Sequence, residues 1–414
     1  MLNNSSIYFP ALSASFLYGL QNNLKHQNGK SFRFFGNEPD KLFSYRKFLL
    51  TAGHNYKKDM KTALDLDLEK DIILGDSGGF QLSTGAVKYS EEIVETFFTW
   101  LENNTNWAMN LDFPPYIKRF TGERLNFDED AYFKEKLEAS VKHFKYFKDH
   151  ASGKTKFMNV IHGRNHKELN AWYEVIKDFN FEGGWGVGSL STRSTNDIYL
   201  ILLVFFYLYE KGEMNKKYND ILTLLHFLGF TNIFRMPVVL YLQNQLNVRD
   251  INITLSFDSS SYGFSAGLGK YASVISNYGI KNVTFSNTWL GNKQIQTDVP
   301  LPCNCPVCNK MKLSNLFQYA KDDGFKTEFY MYLTAHNLYK LIEYKKNVES
   351  IMLYNCKEMQ DEYFDAKNVK LFRFIDGAFN ADKPSQYIHA NRTEICKLAE
   401  TEITEPAKSI KKFF

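Results

Sequence analysis

The chain has 414 residues, a length that suits one large domain or two ordinary ones. Because 44% of the residues are hydrophobic and 16% are aromatic, the chain can bury a substantial core, and this excludes a disordered protein. The 50 basic and 46 acidic residues leave a formal charge of only +4. This balance neither requires nor excludes a nucleic-acid partner, because local basic patches rather than net charge attract phosphates.

Short apolar runs alternate with longer amphipathic segments along most of the chain. The runs that we predict as strands are Lys47–Thr51, Ile72–Gly75, Trp107–Leu111, Phe157–Ile161, Gly184–Gly188, Thr223–Phe227, Ile253–Phe257 and Val283–Ser286. The segments between them that we predict as helices include Ser90–Asn103, Asp128–His150 and His166–Phe179. Such alternation is typical of parallel βαβ units, and eight strands predict an α/β fold of the (β/α)₈ TIM-barrel type.

We expect neither secretion nor membrane insertion. The first residues of the chain are polar and lack the cations of a signal peptide, and its most apolar stretch, Ile198–Tyr209, is too short to span a bilayer. We expect that stretch to be a buried helix. Because five cysteines are an odd number for a disulfide scaffold, we expect a cytoplasmic protein with no membrane partner.

Three cysteines, Cys303, Cys305 and Cys308, lie close together and are followed by His336. Three thiolates and one imidazole suit tetrahedral zinc, and a closed set of four ligands leaves no position for water, so the zinc would be structural. The alternative is three reduced surface cysteines with an unrelated histidine. The remaining cysteines, which we expect to be ordinary buried thiols, are Cys356 and Cys396.

The alternation of strands and helices ends after the last predicted strand. A loop, the cysteine cluster, helical segments and a polar tail follow one another from there. We expect residues 1–300 to form the catalytic barrel and residues 301–345 to form a zinc-binding subdomain inserted near its end. Residues 346–414 would supply C-terminal helices and a tail that complete the barrel.

Polar residues follow five of the predicted strands at their carboxyl ends. They are Asp76, Asp112, His162, Ser189 and Asp258. In TIM barrels the carboxyl ends of the strands meet at one face, and that face holds the active site. A single aspartate there could instead cap a helix, but five chemically useful residues on one face favour a catalytic site.

The string Gly75-Asp-Ser-Gly-Gly-Phe-Gln81 directly follows an apolar strand. Paired glycines allow the backbone to approach a flat ligand closely, and Phe80 could stack on a base. The alternative is a strained turn in which Asp76 caps the next helix. As a string, the segment resembles a signature of the tRNA-guanine transglycosylases.

Four further segments resemble the same family in the same order, from about residue 47 to 345. Asn110–Pro115 resembles the segment that supplies a base-reading aspartate. Phe257–Tyr262 is similar to the strand end that carries the nucleophile, especially in the archaeosine-forming branch. Leu301–Cys308 and Thr334–Leu338 resemble the zinc site of that branch. The resemblance implies a (β/α)₈ barrel with a zinc-bearing insertion near its end.

The resemblance also implies a role for each residue of the site. Asp258 would be the nucleophile that attacks the anomeric carbon and expels guanine, and Asp76 would be its acid–base partner. Asp112 would accept hydrogen bonds from the N–H-rich edge of the base, with a helix cap before Pro114 as the alternative. The residues that would complete the base pocket are Ser77, Gly78, Phe80, His162, Gly188, Ser189 and Leu228.

Three positions depart from the family pattern. His162 stands where the family has glutamine, and an imidazole lacks the paired donor and acceptor of an amide. Ser189 replaces a glycine, and Leu228 stands where bacterial members often have methionine. These departures bear on which base is bound and leave the chemistry in place.

The polymer is predicted from differences within the family. Archaeal tRNA-acting members carry further RNA-binding domains that we expect this chain to lack, and the bacterial Pro-Thr-Arg pattern is absent after Asp258. A catalytic barrel of the archaeal kind without these RNA-binding domains is similar to the DNA 7-deazaguanine transglycosylases (DpdA type) of phages and bacteria. We therefore expect insertion of a 7-deazaguanine base, 7-cyano-7-deazaguanine in the first instance, into DNA by an enzyme encoded by a phage or by its bacterial host.

Two other functions are alternatives: a transglycosylase that acts on tRNA by the same mechanism, and a non-catalytic partner subunit. The sequence leaves a homodimer and a monomer equally open. The basic residues that could hold phosphates, and that could equally be solvated surface charges, are Lys118, Arg119, Lys310, Lys312 and Lys326.

Overall fold

The structure is a computed structural model with full side chains. It describes residues 4–116, 129–188, 190, 197–215, 223–276, 279–284, 298–317, 320–321, 324–325, 327–353 and 357–400. The statements below concern these residues.

Eight parallel strands form one sheet that is nearly closed into a barrel, which confirms the predicted α/β barrel. They are β1 (Ile7–Pro10), β2 (Lys47–Thr51), β3 (Ile72–Asp76), β4 (Trp107–Met109), β5 (Lys156–Ile161), β6 (Gly184–Val187), β7 (Leu224–Phe227) and β8 (Thr254–Ser259). From β2 to β8 each strand pairs with the next in sequence, and β8 pairs with β1. Between β1 and β2 the described residues form one isolated bridge, Ala11–Leu49 just after β1, where the Leu12 N–H donates to the Leu49 carbonyl at 3.1 Å.

One predicted barrel strand is wrong, and one barrel strand was missed. The described residues of Val283–Ser286 belong to β10 (Gly279–Thr284), which pairs antiparallel with β9 (Lys270–Ser276) outside the barrel. The eighth place is taken by β1, whose residues Ile7–Pro10 are all buried. Four residues buried on both faces show no alternation of apolar and polar positions, so the sequence pattern that marks a half-buried strand is absent there.

Helices cover the outside of the barrel and form the C-terminal region. They are α1 (Ala14–Gln21), α2 (Ala52–Asn55), α3 (Met60–Ala63), α4 (Gly79–Thr84), α5 (Glu91–Asn104), α6 (Glu129–His150), α7 (His166–Ile176), α8 (Asp197–Glu210), α9 (Met236–Val248), α10 (Ser261–Gly267), α11 (Leu313–Phe317), α12 (Thr327–Leu353), α13 (Lys357–Tyr363), α14 (Ala366–Phe379), α15 (Pro384–Ala390) and α16 (Arg392–Ala399). Ser90 caps α5 by accepting a hydrogen bond from the Ile93 N–H, as its position before two glutamates predicts. A short hairpin of β11 (Ala320–Lys321) and β12 (Gly324–Phe325) precedes α12.

Helix α8 is apolar on all sides because the C-terminal helices α15 and α16 cover the side that does not face the barrel. The backbone N–H and the hydroxyl of Ser385, at the start of α15, donate to the Glu210 carboxylate at 2.6 and 2.8 Å. An ion pair of 3.0 Å between Arg235 and Asp365 ties the start of α9 to the N-cap of α14. A helix that is buried on every face needs no polar side. The buried helix expected at Ile198–Tyr209 is therefore confirmed.

None of the helices in the described part of the chain is both long and apolar enough to cross a bilayer. The expected division at residues 300 and 345 stays a prediction.

Because β1 completes the barrel, we predict that Phe9→Ala destabilises the protein by about 3–5 kcal/mol, the usual effect of truncating a buried phenylalanine. Phe9 is fully buried on β1. Tyr18→Ala is the matched control, because Tyr18 on the neighbouring α1 is 60% exposed and its loss should cost less than about 0.5 kcal/mol. Urea unfolding measures both. Equal effects of the two substitutions would contradict the place of β1 in the barrel.

Candidate active site and metal centre

Two glycines show which side of the strands faces the barrel interior. A Cβ added to Gly186 would lie 3.2–3.6 Å from side-chain atoms of Leu228, Met109 and Val160, three other parts of the barrel, so Gly186 faces inward. A Cβ on Gly75 would instead meet the side chains of Leu101 and Thr105 around α5, so Gly75 faces outward. Side chains alternate along a strand. Asp76, which follows Gly75, therefore faces inward at the carboxyl end of β3.

Asp258 faces inward at the carboxyl end of β8. The inward Gly186 pairs with His226, and His226 pairs with Ser256, so both of these residues also face inward. Asp258 is two residues after Ser256 and therefore lies on the same side of the strand. Its Oδ1 accepts a hydrogen bond from the Gly229 N–H at 2.6 Å and lies 3.1 Å from His226 Nε2. The side chain is 13% exposed, so the protein covers most of the carboxylate but leaves part of it accessible.

His226 belongs to this site and was missed by the sequence analysis. Its Nδ1 lies 3.0 Å from Ser256 Oγ, while its Nε2 contacts Asp258. The sequence signal was present: His226 is the one ionisable residue in the apolar run Leu224–Phe227. It was not used because a single histidine in an apolar strand is most often part of the core.

Asp76 has a raised pKa. Burial is the largest cause, and the negative charges of Asp258 and Asp112 raise it further, against a hydrogen bond that its Oδ1 accepts from the Gly78 N–H at 3.2 Å. The effect of the other two carboxylates places all three aspartates in one electrostatic environment. The helix that follows, α4, has Gly78 and not Asp76 at its N-cap, so Asp76 does not act there as a helix cap.

Asp112 and His162 form a buried pair. Asp112 Oδ2 lies 2.7 Å from His162 Nε2, and the imidazole packs edge-on against Trp172 with ring centroids 4.7 Å apart. A Cβ on Gly188 would lie 2.2 Å from His162 Cε1, so the imidazole fills the space that a side chain at 188 would need. Strand β4 ends at Met109 and not at Leu111 as predicted, so Asp112 lies in the loop beyond it.

A glycine of the Asp76 motif brings this loop close. A Cβ on Gly79 would lie 1.9 Å from the Asp112 carbonyl oxygen, so only glycine permits the approach. The motif thus packs directly against the segment that carries Asp112.

The remaining residues predicted for the pocket differ in their surroundings. Ser77 is buried, and its Oγ has no hydrogen-bond partner among the described residues. Phe80 is 51% exposed, which leaves its ring free for contact with a ligand. Leu228 is half-buried, and its side chain lies beside Gly186 in the barrel interior. Ser189 lies outside the described residues.

The predicted metal ligands come together. The ligand atoms of Cys303, Cys305, Cys308 and His336 all lie within 4.8 Å of one another. Cys305, Cys308 and His336 are buried, and Cys303 is half-buried. His336 Nδ1 lies 3.4 Å from Cys305 Sγ and 3.2 Å from Cys308 Sγ. The cluster could therefore hold a metal ion with three sulfur ligands and one nitrogen.

Neighbouring groups hold His336 in the form that a metal requires. Its Nε2–H donates to the Ala272 carbonyl at 2.6 Å, which leaves the Nδ1 lone pair directed at the sulfurs. Tyr271 stacks on the imidazole with ring centroids 3.8 Å apart, and its hydroxyl lies 3.3 Å from Cys308 Sγ.

Asn337, next to His336 on α12, links the metal cluster to the end of β8. Its Oδ1 accepts from the Ala272 N–H at 2.8 Å. Its Nδ2 donates to the carbonyls of Lys270 and Tyr262 at 2.9 and 3.2 Å, and Tyr262 lies on α10, just after Asp258. The possible metal site and the carboxyl face of the barrel are therefore connected through β9 and α10.

The other basic residues and cysteines are placed as follows. Lys312 forms an ion pair of 2.6 Å with Asp298, and Lys310 is exposed. Burial raises the pKa of the half-buried Cys396 thiol. The predicted residues that lie outside the described part of the chain, or whose side chains do, are Lys118, Arg119, Lys326 and Cys356.

A cavity of about 360 Å³ lies at the other end of the barrel, between α9 and α12. Its walls include Asn4 and Ser5, which precede β1, together with Asn244 and Glu349. It is therefore at the amino ends of the strands and is not part of the site around Asp76 and Asp258.

No protein-family model matches the chain, and no curated protein matches it. Membership of the transglycosylase family stays a prediction, as do the roles assigned to the residues above.

We predict that the purified protein carries one metal ion per chain and that Cys303→Ser loses it, because a closed site needs all four ligands. Chelation should lower the melting temperature of the wild type, and acid should release the metal because the ligands must be deprotonated. Cys396→Ser is the matched control and should keep the metal. Elemental analysis and thermal denaturation measure these effects. A metal-free protein with unchanged stability would contradict the site.

The raised pKa of Asp76 predicts how stability depends on pH. The native state favours the protonated form of Asp76. The contribution of this acid to the free energy of unfolding is therefore full below its unfolded pKa, near 3.8, and is lost as pH rises through the raised native pKa. Asp76→Asn should therefore gain stability over the wild type with rising pH, in thermal denaturation at pH 3.5 and pH 8.

Asp67→Asn is a control of opposite sign for this experiment. Hydrogen bonds, first from Lys70 and then from Asn37, lower the pKa of Asp67 to about 2, so its contribution is present at neutral pH and lost in acid. This variant should lose stability at pH 8 by a small amount, since Asp67 is partly exposed and its partner Lys70 is 62% exposed. The same trend in both variants would rule out the assignment for Asp76.

Proposed function

We propose that the chain is a base-exchange transglycosylase, a pentosyltransferase that replaces guanine in a nucleic acid by a 7-deazaguanine. The observation that carries the proposal is that Asp258 and Asp76 both face inward at the carboxyl ends of barrel strands, and that the charge of Asp258 contributes to the raised pKa of Asp76. Two carboxyl groups in different environments are what glycosyl transfer through a covalent intermediate needs.

In the proposed reaction Asp258 attacks the anomeric carbon of the target nucleotide, and guanine leaves. Asp76 supplies a proton to the departing base, a role that its raised pKa supports because a proton is retained nearer to neutral pH. The incoming 7-deazaguanine then loses its proton to Asp76 and displaces the aspartyl ester. Two inversions at the anomeric carbon retain its configuration.

The base would be read by groups that surround these carboxylates. Asp112 offers acceptor oxygens to the N–H groups of a guanine-like edge, and His162 fixes one of them at 2.7 Å. The buried hydroxyl of Ser77 is available for a ligand, and the exposed ring of Phe80 offers a stacking surface. We take 7-cyano-7-deazaguanine as the first base to test.

The metal is zinc in this proposal, because three thiolates and one imidazole are the donor set of structural zinc sites. Cys303, Cys305, Cys308 and His336 would fill all four positions, so the ion would have no place for substrate. Its contribution would be to hold α12 and β9 behind the strand that carries Asp258.

DNA is the proposed polymer on the basis of the sequence resemblance described above. A base in duplex DNA must leave the stack to reach a barrel mouth, at a cost of a few kcal/mol that pocket contacts offset. tRNA is the second polymer. The alternative of a non-catalytic subunit is weakened by the retention of both carboxylates in one site.

Exchange is tested by incubating the protein with DNA or tRNA and 7-cyano-7-deazaguanine, and identifying the nucleosides by mass spectrometry. We expect the modified deoxynucleoside, and a covalent protein–DNA adduct that Asp258→Asn abolishes. Asp250→Asn is the matched control, because Asp250 lies in the turn at the opposite end of β8, and it should leave exchange unchanged. Product in tRNA alone would move the function to that polymer, and no adduct with either would favour the non-catalytic subunit.

A further inference from the structure

His226 and Ser256 form a buried line of hydrogen bonds that ends on Asp258. Both residues are fully buried, and they are direct partners in the pairing of β7 with β8. Ser256 Oγ lies 3.0 Å from His226 Nδ1, and His226 Nε2 lies 3.1 Å from Asp258 Oδ1. Strand pairing therefore fixes the imidazole between a hydroxyl and a carboxylate.

The chemistry of the three groups determines the direction of these hydrogen bonds. An ionised carboxylate only accepts, so His226 Nε2 carries the proton that points at Asp258. In a neutral imidazole the other nitrogen is then an acceptor, which matches the hydroxyl hydrogen of Ser256. Ser256 thus fixes the tautomer, and the tautomer makes His226 a donor to Asp258.

The donors are all on one oxygen of Asp258. Oδ1 accepts from the Gly229 N–H at 2.6 Å as well as from His226. The described residues make no hydrogen bond to Oδ2. The two oxygens of the carboxylate are therefore different before any substrate arrives.

We propose that His226 is a positioning residue, which with the Gly229 amide holds Oδ1 of Asp258 so that Oδ2 is the attacking atom. This inference rests on the proposed function. Oδ2 forms a bond to the anomeric carbon while the bond from that carbon to guanine breaks. The electron pair of the broken bond leaves with guanine, which takes a proton from Asp76.

The same contacts serve the second step. Oδ1 becomes the carbonyl oxygen of the ester and keeps its two donors. The nitrogen of the incoming base bonds to the anomeric carbon and gives its proton to Asp76, while the ester bond to Oδ2 breaks and its electron pair returns to the carboxylate. Donors that are already on Oδ1 stabilise this returning charge without rearrangement.

The test compares His226→Leu, which removes the donor, with His226→Gln, whose side-chain amide places an N–H near the position of Nε2. Single-turnover formation of the DNA adduct and steady-state kcat and KM for the base are measured. We expect His226→Leu to lower kcat about 10²-fold, as for loss of one preorganised donor, with KM nearly unchanged. His226→Gln should recover kcat to within about tenfold of the wild type.

Ser256→Ala provides an independent arm, with Thr254→Val as its matched control. Both remove a hydroxyl from the same side of β8, but only Ser256 contacts His226. We expect Ser256→Ala to lower kcat, because the tautomer is no longer fixed, and Thr254→Val to leave it unchanged. This pair decides the question if His226→Leu does not fold, which metal content and melting temperature show.

Each outcome has a distinct meaning. The positioning role is overturned if His226→Leu keeps the wild-type kcat, or if the leucine and glutamine variants lose kcat equally at unchanged stability. In either case, base exchange by the wild type still supports the proposed function. No adduct and no product from the wild type with DNA or tRNA overturns both. A loss of kcat in His226→Leu that His226→Gln largely restores supports the positioning role.

Discussion

The pairing of β8 with β7 on one side and β1 on the other is the constraint on which the site depends. It places Ser256 opposite His226 and Phe9 opposite Asp258. A shift of one residue on either side would turn the Asp258 side chain out of the barrel, because side chains alternate along a strand. The backbone hydrogen bonds of three strands therefore determine where one carboxylate points.

The metal region extends this constraint beyond the barrel. Asn337 lies beside a metal ligand and bonds to the backbone of Tyr262, Lys270 and Ala272. The Tyr262 hydroxyl in turn donates to the Ala11 carbonyl at 2.9 Å, just past β1. The carboxyl ends of the two neighbouring strands β1 and β8 are thus tied to α12, the helix that carries His336. An ion held by the cysteine and histidine cluster would in this way order the carboxyl face of the barrel without touching it.

The sequence predicted the barrel, the metal cluster and the clustering of Asp76, Asp112 and Asp258 because strand ends and cysteine spacing are local signals. It did not predict β1, which is short and buried on both faces, and it assigned the eighth strand to a hairpin outside the barrel instead. His226 is visible in the sequence only as an ionisable residue in an apolar strand, and its contacts with Ser256 and Asp258 depend on the register between β7 and β8. The contact of His162 with Gly188 likewise depends on the tertiary arrangement of β5 and β6.

That last contact links two positions that are 26 residues apart in the sequence (188 − 162). The imidazole of His162 lies where any side chain at 188 would begin. A bulkier residue at 188 is therefore tolerated only after 162 becomes smaller or turns away, and a smaller residue at 162 opens a gap that Gly188 cannot fill. The two positions therefore constrain one another, and any redesign of this part of the barrel needs to change both, with residue 162 altered before residue 188 is enlarged.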